Sequence, residues 1–92
     1  MQSFLQFFHL LDAHFFEPGE HDEALGPFLG MISPNLWTDG IPADMAILKD
    51  WTNTYGEAPM DEETLLRASV EFLRSYEKYF DFSRTIEWLQ TR

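Results

Sequence analysis

Apolar side chains recur at intervals of three and four residues along most of this 92-residue chain, and no useful stretch alternates apolar and polar residues. The first pattern is that of one helix face, whereas a half-buried strand needs alternation. In residues 3–16 the helical positions are Phe4, Phe7, Phe8, Leu11 and Phe15. We therefore predict a largely buried first helix. Pro18 and Gly19 should end it, because proline disfavours the α conformation in the residue before it and glycine readily adopts positive φ.

Two shorter features are predicted in the middle of the chain. A second helix is expected from about His21 to Met31, although Gly26 and Pro27 should break or kink it. Residues 33–42 lack helical periodicity and contain two prolines and an Asp-Gly turn signal. This composition predicts an ordered loop.

A third helix should follow that loop. Pro42 suits the first turn, where its missing N–H does no harm, and Asp44 would lie near the positive end of the helix dipole. The apolar stripe consists of Ile41, Met45, Leu48, Trp51 and Tyr55. Gly56 lies where a left-handed glycine cap is expected.

The fourth helix has the clearest start. Asp61 is a favourable N-cap, and Glu62 and Glu63 suit the positive end of the dipole. Asp81 or Ser83 should cap a last helix that carries Ile86, Trp88 and Leu89. The periodicity therefore predicts an all-α fold, a small single-domain bundle of four to five helices that spans residues 1–92.

Length and composition predict a folded protein of the cytoplasm. The chain is 45% apolar and contains nine Phe, three Trp and three Tyr, which a disordered acidic chain would lack. A chain of this length buries roughly 65% of its unfolded surface, enough for one core. It has no cysteine, its start lacks the positive charges of a signal peptide, and no apolar run approaches the roughly 20 residues of a membrane span.

The acidic residues are concentrated in the first two thirds of the chain. Twelve of the sixteen lie in residues 1–66, where Lys49 is the only basic residue other than histidine, so this segment has a net charge of −11. The net charge of −10 for the whole chain repels phosphates, which disfavours nucleic-acid binding. Since retaining such charge costs self-repulsion, the expected partner is a basic protein.

No enzymatic activity, metal or cofactor is predicted. The chain has neither a Gly-x-Ser-x-Gly turn nor a phosphate-binding glycine pattern. On one helix His14 and Glu17 would share a face, with His21 a turn further on, which resembles a metal-ligand spacing. A proline and a glycine interrupt that helix before His21, and His9 points to a different face. Structural or solvent-exposed histidines are therefore the preferred interpretation.

A short, cysteine-free, strongly acidic chain that opens with an aromatic amphipathic helix resembles the immunity proteins of bacterial toxin systems, including contact-dependent growth inhibition and other polymorphic toxins. Residues 33–44, followed by Asp50 and Trp51, also resemble a loop-and-helix pattern of small bacterial proteins of this type. The resemblance implies tight, stoichiometric binding of a cognate toxin domain, often a basic nuclease, without catalysis by the immunity protein. Immunity families differ in fold, so it implies nothing about the helices.

A partner-binding surface is predicted where acids follow the loop, so that carboxylates would take the place of phosphates in a toxin's substrate groove. The proposed residues are Trp37, Asp39, Asp44, Asp50, Glu57, Asp61, Glu62 and Glu63. In this set Trp37 would be an apolar contact, although anchoring its own loop is the preferred interpretation of this residue taken alone. Helix capping does not account for a further set of acids, which supports a basic partner: Glu17, Glu20, Asp22, Glu23, Asp39, Asp50 and Glu57.

The alternative function is that of an adaptor or scaffold subunit. In that case the acidity serves solubility, and an apolar groove binds a helix of the partner. A salt titration separates the two functions, because charge-led association weakens with salt and groove binding hardly responds.

Overall fold

The computed structural model describes residues 1–33 and 44–92 and confirms the all-α prediction. The described residues form five helices and no strand: α1 Gln2–Phe16, α2 Leu25–Ile32, α3 Met45–Tyr55, α4 Glu62–Ser75 and α5 Ser83–Gln90. Helix α1 contacts each of the other four, so it lies at the centre of one small domain. Except for Ser33, the loop predicted for residues 33–42 lies outside the described residues, as does the helix start predicted at Pro42.

Helix α2 begins later than predicted and is not broken. It starts at Leu25 rather than near His21 and continues through Gly26 and Pro27 to Ile32. Pro27 lies in the first turn, where backbone N–H groups have no acceptor within the helix, so its missing N–H costs no hydrogen bond. The predicted break was therefore wrong.

Side-chain caps define the starts of α3 and α4. The Asp44 carboxylate accepts hydrogen bonds from the N–H groups of Ala46 at 3.0 Å and Ile47 at 3.2 Å. Asp61 caps α4 by accepting from the N–H of Thr64 at 3.4 Å, as predicted. Asp44 thus precedes its helix rather than lying in the first turn, but in both places the carboxylate is close to the positive end of the dipole.

Aromatic rings form the centre of the core. Phe7 stacks on Trp51 with ring centroids 4.6 Å apart and meets the edge of Phe72 at 5.4 Å. The other buried apolar side chains are Phe4, Phe8, Leu11, Leu25, Phe28, Leu29, Ile32, Ile47, Ala68, Leu73, Phe82, Ile86 and Leu89. Phe15, expected on the buried stripe, is 36% exposed, since its ring lies over Gly26 at the edge of the core.

Polar side chains of α1 hold the connection between α3 and α4. The indole N–H of Trp51 donates to the hydroxyl of Ser3 at 2.9 Å, and Ser3 donates to the carbonyl of Gly56 at 2.7 Å. The Gln6 amide donates to the Met60 carbonyl at 3.0 Å and accepts from the Met60 N–H at 2.8 Å. Gly56 ends α3 with the predicted positive φ, +79°, but its ψ of −176° is not that of the left-handed cap expected there. These bonds fix the backbone that carries Glu57 and Asp61.

Candidate functional site

Two tyrosine–carboxylate hydrogen bonds join α3 to α4 at the surface. Tyr76 donates to Asp50, and Tyr55 donates to Glu71 at 2.8 Å. The earlier residue of α3 pairs with the later residue of α4, so the two helices are antiparallel, and we refer to residues 44–76 as the α3–α4 hairpin. Burial raises the pKa of both phenols, and the carboxylate acceptors raise it further. Between the bonds lies a groove of about 280 Å³ that Asp50, Tyr55 and Glu71 line.

The predicted acidic residues form two groups on this hairpin. Asp44 and Asp50 lie near Tyr76, where their charges add to the effect of burial on the pKa of the phenol. The second group lies at the start of α4: Glu57, Asp61, Glu62 and Glu63. Glu62 and Tyr76 are at opposite ends of α4, about 20 Å apart at a rise of 1.5 Å per residue. A small contact on a partner therefore cannot engage both groups.

Two acids of the second group have contacts within the protein. The hydrogen bonds from Thr64 lower the pKa of Asp61, because they stabilise its charged form. Glu57 lies 3.2 Å from the amino group of Met1, and its side chain is 69% exposed. Both carboxylates remain open to solvent.

Glu62 and Glu63 are the least engaged of the predicted site residues. Both are exposed in the first turn of α4, and neither takes part in a side-chain hydrogen bond or ion pair between described residues. Residues 44–66 contain six acids against Lys49, a net charge of −5. Trp37 and Asp39, the other predicted partner contacts, lie outside the described residues.

Asp22 caps α5, although its acidity was attributed to an external partner. One carboxylate oxygen accepts from the N–H and the hydroxyl of Thr85, both at 2.8 Å, and the other accepts from the N–H of Arg84 at 3.1 Å. The Asp22 side chain is buried. Neither predicted cap, Asp81 or Ser83, occupies the N-cap position of α5, which is Phe82. Asp81 accepts from the N–H of Ser83, the first residue of α5, at 2.9 Å, while Asp22 accepts from the next two N–H groups.

Two further acids bind α5 from the same side. Glu20 forms an ion pair with Arg84, while Glu17 accepts from the indole N–H of Trp88 at 3.0 Å and lies 3.9 Å from the guanidinium of Arg92. We refer to Glu17, Glu20 and Asp22 as the α5 anchor. Their carboxylates are engaged within the protein, so they do not indicate an external partner.

His14 is buried where α1 meets α5. Its ring packs against Trp88 at 4.4 Å and His21 at 5.1 Å, and Nε2 of His21 donates to the His14 carbonyl at 2.9 Å. Neither ring nitrogen of His14 has a hydrogen-bond partner in the described part of the chain. Burial lowers the pKa of His14, and the neighbouring His21 lowers it further. In residues 1–33 and 44–92 no group of three or more His, Cys, Asp or Glu side chains is placed to hold a metal ion.

A groove of about 550 Å³ lies between α4 and α5, at a position that the sequence did not predict. Its apolar lining comes from Leu66 and Val70 on α4 and from Leu89 on α5, while Arg67 and Arg74 are among its charged residues. The spacing of Leu66 and Val70 indicates a shared face of α4. This spacing does not reveal which helix packs beside that face, so the groove could be found only in the structure.

Comparison of the chain with protein-family models, curated proteins and solved structures found no match. None of the helices formed by the described residues is long and apolar enough to cross a membrane.

Proposed function

We propose that this protein is a non-catalytic binding protein whose acidic start of α4 holds a basic partner, as an immunity protein holds a toxin domain such as a nuclease. The supporting observation is the pair of exposed glutamates, Glu62 and Glu63, which lack internal partners among the described residues in a segment of net charge −5. Unlike the α5 anchor, these carboxylates are free to bind another molecule.

Electrostatics gives this surface its selectivity. An unneutralised acidic segment attracts a cationic surface over roughly 10 Å at moderate salt and increases the association rate more than the affinity. On a partner that binds nucleic acid, the carboxylates would occupy the positions of phosphates. Binding alone would then block the partner's substrate, and the protein itself would need no catalytic group.

The two groups of acids have different roles in this proposal. Glu57, Asp61, Glu62 and Glu63 form the primary contact, since they are exposed and close in sequence. Asp44 and Asp50 lie about 20 Å away along α4, so they contribute only to a partner that covers the length of the hairpin. A contact by Trp37 and Asp39 stays a prediction.

A matched pair of triple variants tests the proposal. The test variant is E57Q/E62Q/E63Q, and the control E23Q/E77Q/E87Q removes the same charge from exposed acids that have no internal partner among the described residues. The probe is the C-terminal domain of the protein encoded in the adjacent reading frame. We expect the test variant to associate about tenfold more slowly, with a flatter salt dependence, and the control to stay close to the wild type.

Three results would contradict the proposal. Equal slowing by both variants would show that only net charge matters, and unchanged kinetics in both would remove the start of α4 from the interface. If the adjacent gene encodes a metabolic protein that does not bind this chain, the toxin-neutralising role would be excluded.

The adaptor function is the second candidate, and the α4–α5 groove favours it. An apolar lining of Leu66, Val70 and Leu89 is suited to one face of an amphipathic helix. For a partner bound in this way, affinity should change less than about twofold between low and moderate salt. The charge-led contact at α4 should weaken by much more over the same range.

A further inference from the structure

The α4–α5 groove has a charge order that the functions above do not use. Four charged residues of α4 line the groove in the sequence Glu63, Arg67, Glu71 and Arg74. They are spaced by four, four and three residues, so they share one face of the helix. From the amino to the carboxyl end the signs are negative, positive, negative and positive.

Glu63, Arg67, Glu71 and Arg74 take part in no ion pair among the described residues. The spacing allows pairs between Glu63 and Arg67 and between Arg67 and Glu71, yet neither is among the ion pairs of residues 1–33 and 44–92. Glu71 uses one oxygen to accept from Tyr55 and keeps the other free. The chain has sixteen acids, yet Arg67 and Arg74 form no ion pair with any of those that the structure describes. The two guanidinium groups therefore form a cationic site on this face of α4.

We propose that a second copy of this chain occupies the groove, with its α4 antiparallel to the first. Reversing the helix direction reverses the charge order, so Glu63 meets the Arg74 of the second copy and Arg67 meets its Glu71. In an antiparallel pair of helices, all paired positions have the same midpoint in the sequence. The charge pairs 63–74 and 67–71 and the apolar pair 66–70 have midpoints that agree to within one residue. One register therefore matches both charge pairs and the apolar contact, and two-fold symmetry forms each of them twice.

Net charge also favours this face over others for self-association. Each chain has a net charge of −10, so most contacts between copies bring acids together. The groove is lined by three arginines, Arg67, Arg74 and Arg92, against Glu63 and Glu71. Since Arg92 is paired with Glu17, Arg67 and Arg74 balance Glu63 and Glu71, and two copies can meet at this nearly neutral groove with little repulsion. This inference shares Glu63 with the proposed contact for a basic partner, so the second copy and that partner would compete for this residue. It replaces the partner helix of the adaptor function with α4 itself.

Charge exchange between two variants tests the antiparallel register. Homodimers of Glu63→Arg place two like-charged pairs at the interface, and so do homodimers of Arg74→Glu. In an equimolar mixture the Arg at 63 of one chain meets the Glu at 74 of the other, and the two native residues pair as before. Glu77→Arg is the control: it makes the same change of charge as Glu63→Arg, but at an exposed acid outside the groove.

Sedimentation equilibrium provides the measurement. We expect the wild-type chain of 10.8 kDa to show twice that mass as its concentration rises toward about 1 mM, and each single variant to dimerise at least about tenfold more weakly. The mixture should recover the wild-type association, and Glu77→Arg should resemble the wild type. Circular dichroism of each variant confirms that the helices are intact.

Several outcomes would overturn the inference. A wild type that stays at 10.8 kDa throughout would leave the groove open to a partner helix. Single variants that dimerise as well as the wild type would place the interface elsewhere, and a mixture without recovery would exclude this register. Binding at the start of α4 is measured separately with the probe domain, so a failure of self-association would not count against the basic-partner proposal.

Discussion

The α5 anchor and the start of α4 contain the same kind of residue in opposite situations. In the anchor, Asp22 is buried against the first turn of α5 and Glu20 is paired with Arg84. At the start of α4, Glu62 and Glu63 extend into solvent without a partner among the described residues. Part of the acidity therefore stabilises the fold, and only the remainder can explain binding.

Replacing Asp22 should have the largest effect on stability of any single acid. Asp22→Ala removes the acceptor of three hydrogen bonds. Two come from the backbone N–H groups of Arg84 and Thr85 in the first turn of α5, and the third comes from the Thr85 hydroxyl. We expect the free energy of unfolding to fall by about 2–3 kcal/mol in urea denaturation. Asp22→Asn keeps an acceptor oxygen and should lose less.

Glu23→Ala is the matched control for that measurement. Glu23 is the next residue, is exposed, and has no side-chain partner in the described part of the chain. Its loss should change stability by no more than about 0.5 kcal/mol. Similar losses in the two variants would mean that the difference between engaged and free acids has no energetic basis.

The contrast also shows which parts of the fold the sequence could reveal. The N-cap role of Asp61 was predicted because the cap, the acidic first turn and the apolar stripe lie within a few residues of one another. Asp22, in contrast, caps α5 through Arg84 and Thr85, which lie 62 and 63 positions further along the chain, so no local pattern contains this cap. Helices were therefore predictable, whereas most polar contacts between helices were not.

The candidate site divides in the same way. The negative charge of residues 44–66 is visible in the sequence, but the separation of Asp50 from Glu62 depends on the antiparallel pairing of α3 and α4. The α4–α5 groove likewise needs Leu89 beside Leu66. Phe15 illustrates the opposite error, because its helical spacing continues the apolar stripe beyond the edge of the core.

Tyr76→Phe tests the hydrogen bond that holds Asp50, an exposed acid, in place. The variant removes the hydroxyl that donates to Asp50 and should destabilise the hairpin by about 1 kcal/mol, less than the loss of Asp22 because the bond lies at the surface. Tyr79→Phe is the control, since Tyr79 is 73% exposed. Chemical denaturation of the three proteins provides the measurement, and equal loss in both variants would show that the bond to Asp50 contributes nothing.

The same tyrosines predict a response to alkali. Because burial and the carboxylate acceptors raise the pKa of Tyr55 and Tyr76, their stabilisation is complete below the ordinary value of about 10 and is lost as the pH rises above it. Ultraviolet titration should show Tyr55 and Tyr76 ionising above the ordinary value. Ionisation of Tyr55 and Tyr76 at the ordinary value would contradict both hydrogen bonds.

His14 should make the α5 side of the molecule sensitive to acid. Burial and His21 lower its pKa in the folded state, so its contribution to stability is complete above the unfolded pKa of about 6.5 and is lost as the pH falls below it. His14→Phe keeps an aromatic ring beside Trp88 and cannot be protonated. Thermal unfolding between pH 7 and 5 should decline less steeply in His14→Phe than in the wild type, while the exposed His9→Gln should match the wild type.

Glu62→Gln should have the smallest effect on stability, and this small effect is itself informative. Removing the charge weakens its favourable interaction with the α4 dipole but relieves repulsion from Glu63 and Asp61, so the two terms oppose each other. We expect a change within about 0.5 kcal/mol in urea denaturation, at both low and moderate salt. A loss comparable to that of Asp22→Ala would mean that the acids at the start of α4 maintain the fold, as the α5 anchor does. The basic-partner proposal would then lose the observation on which it depends, because no group of acids would remain free for binding.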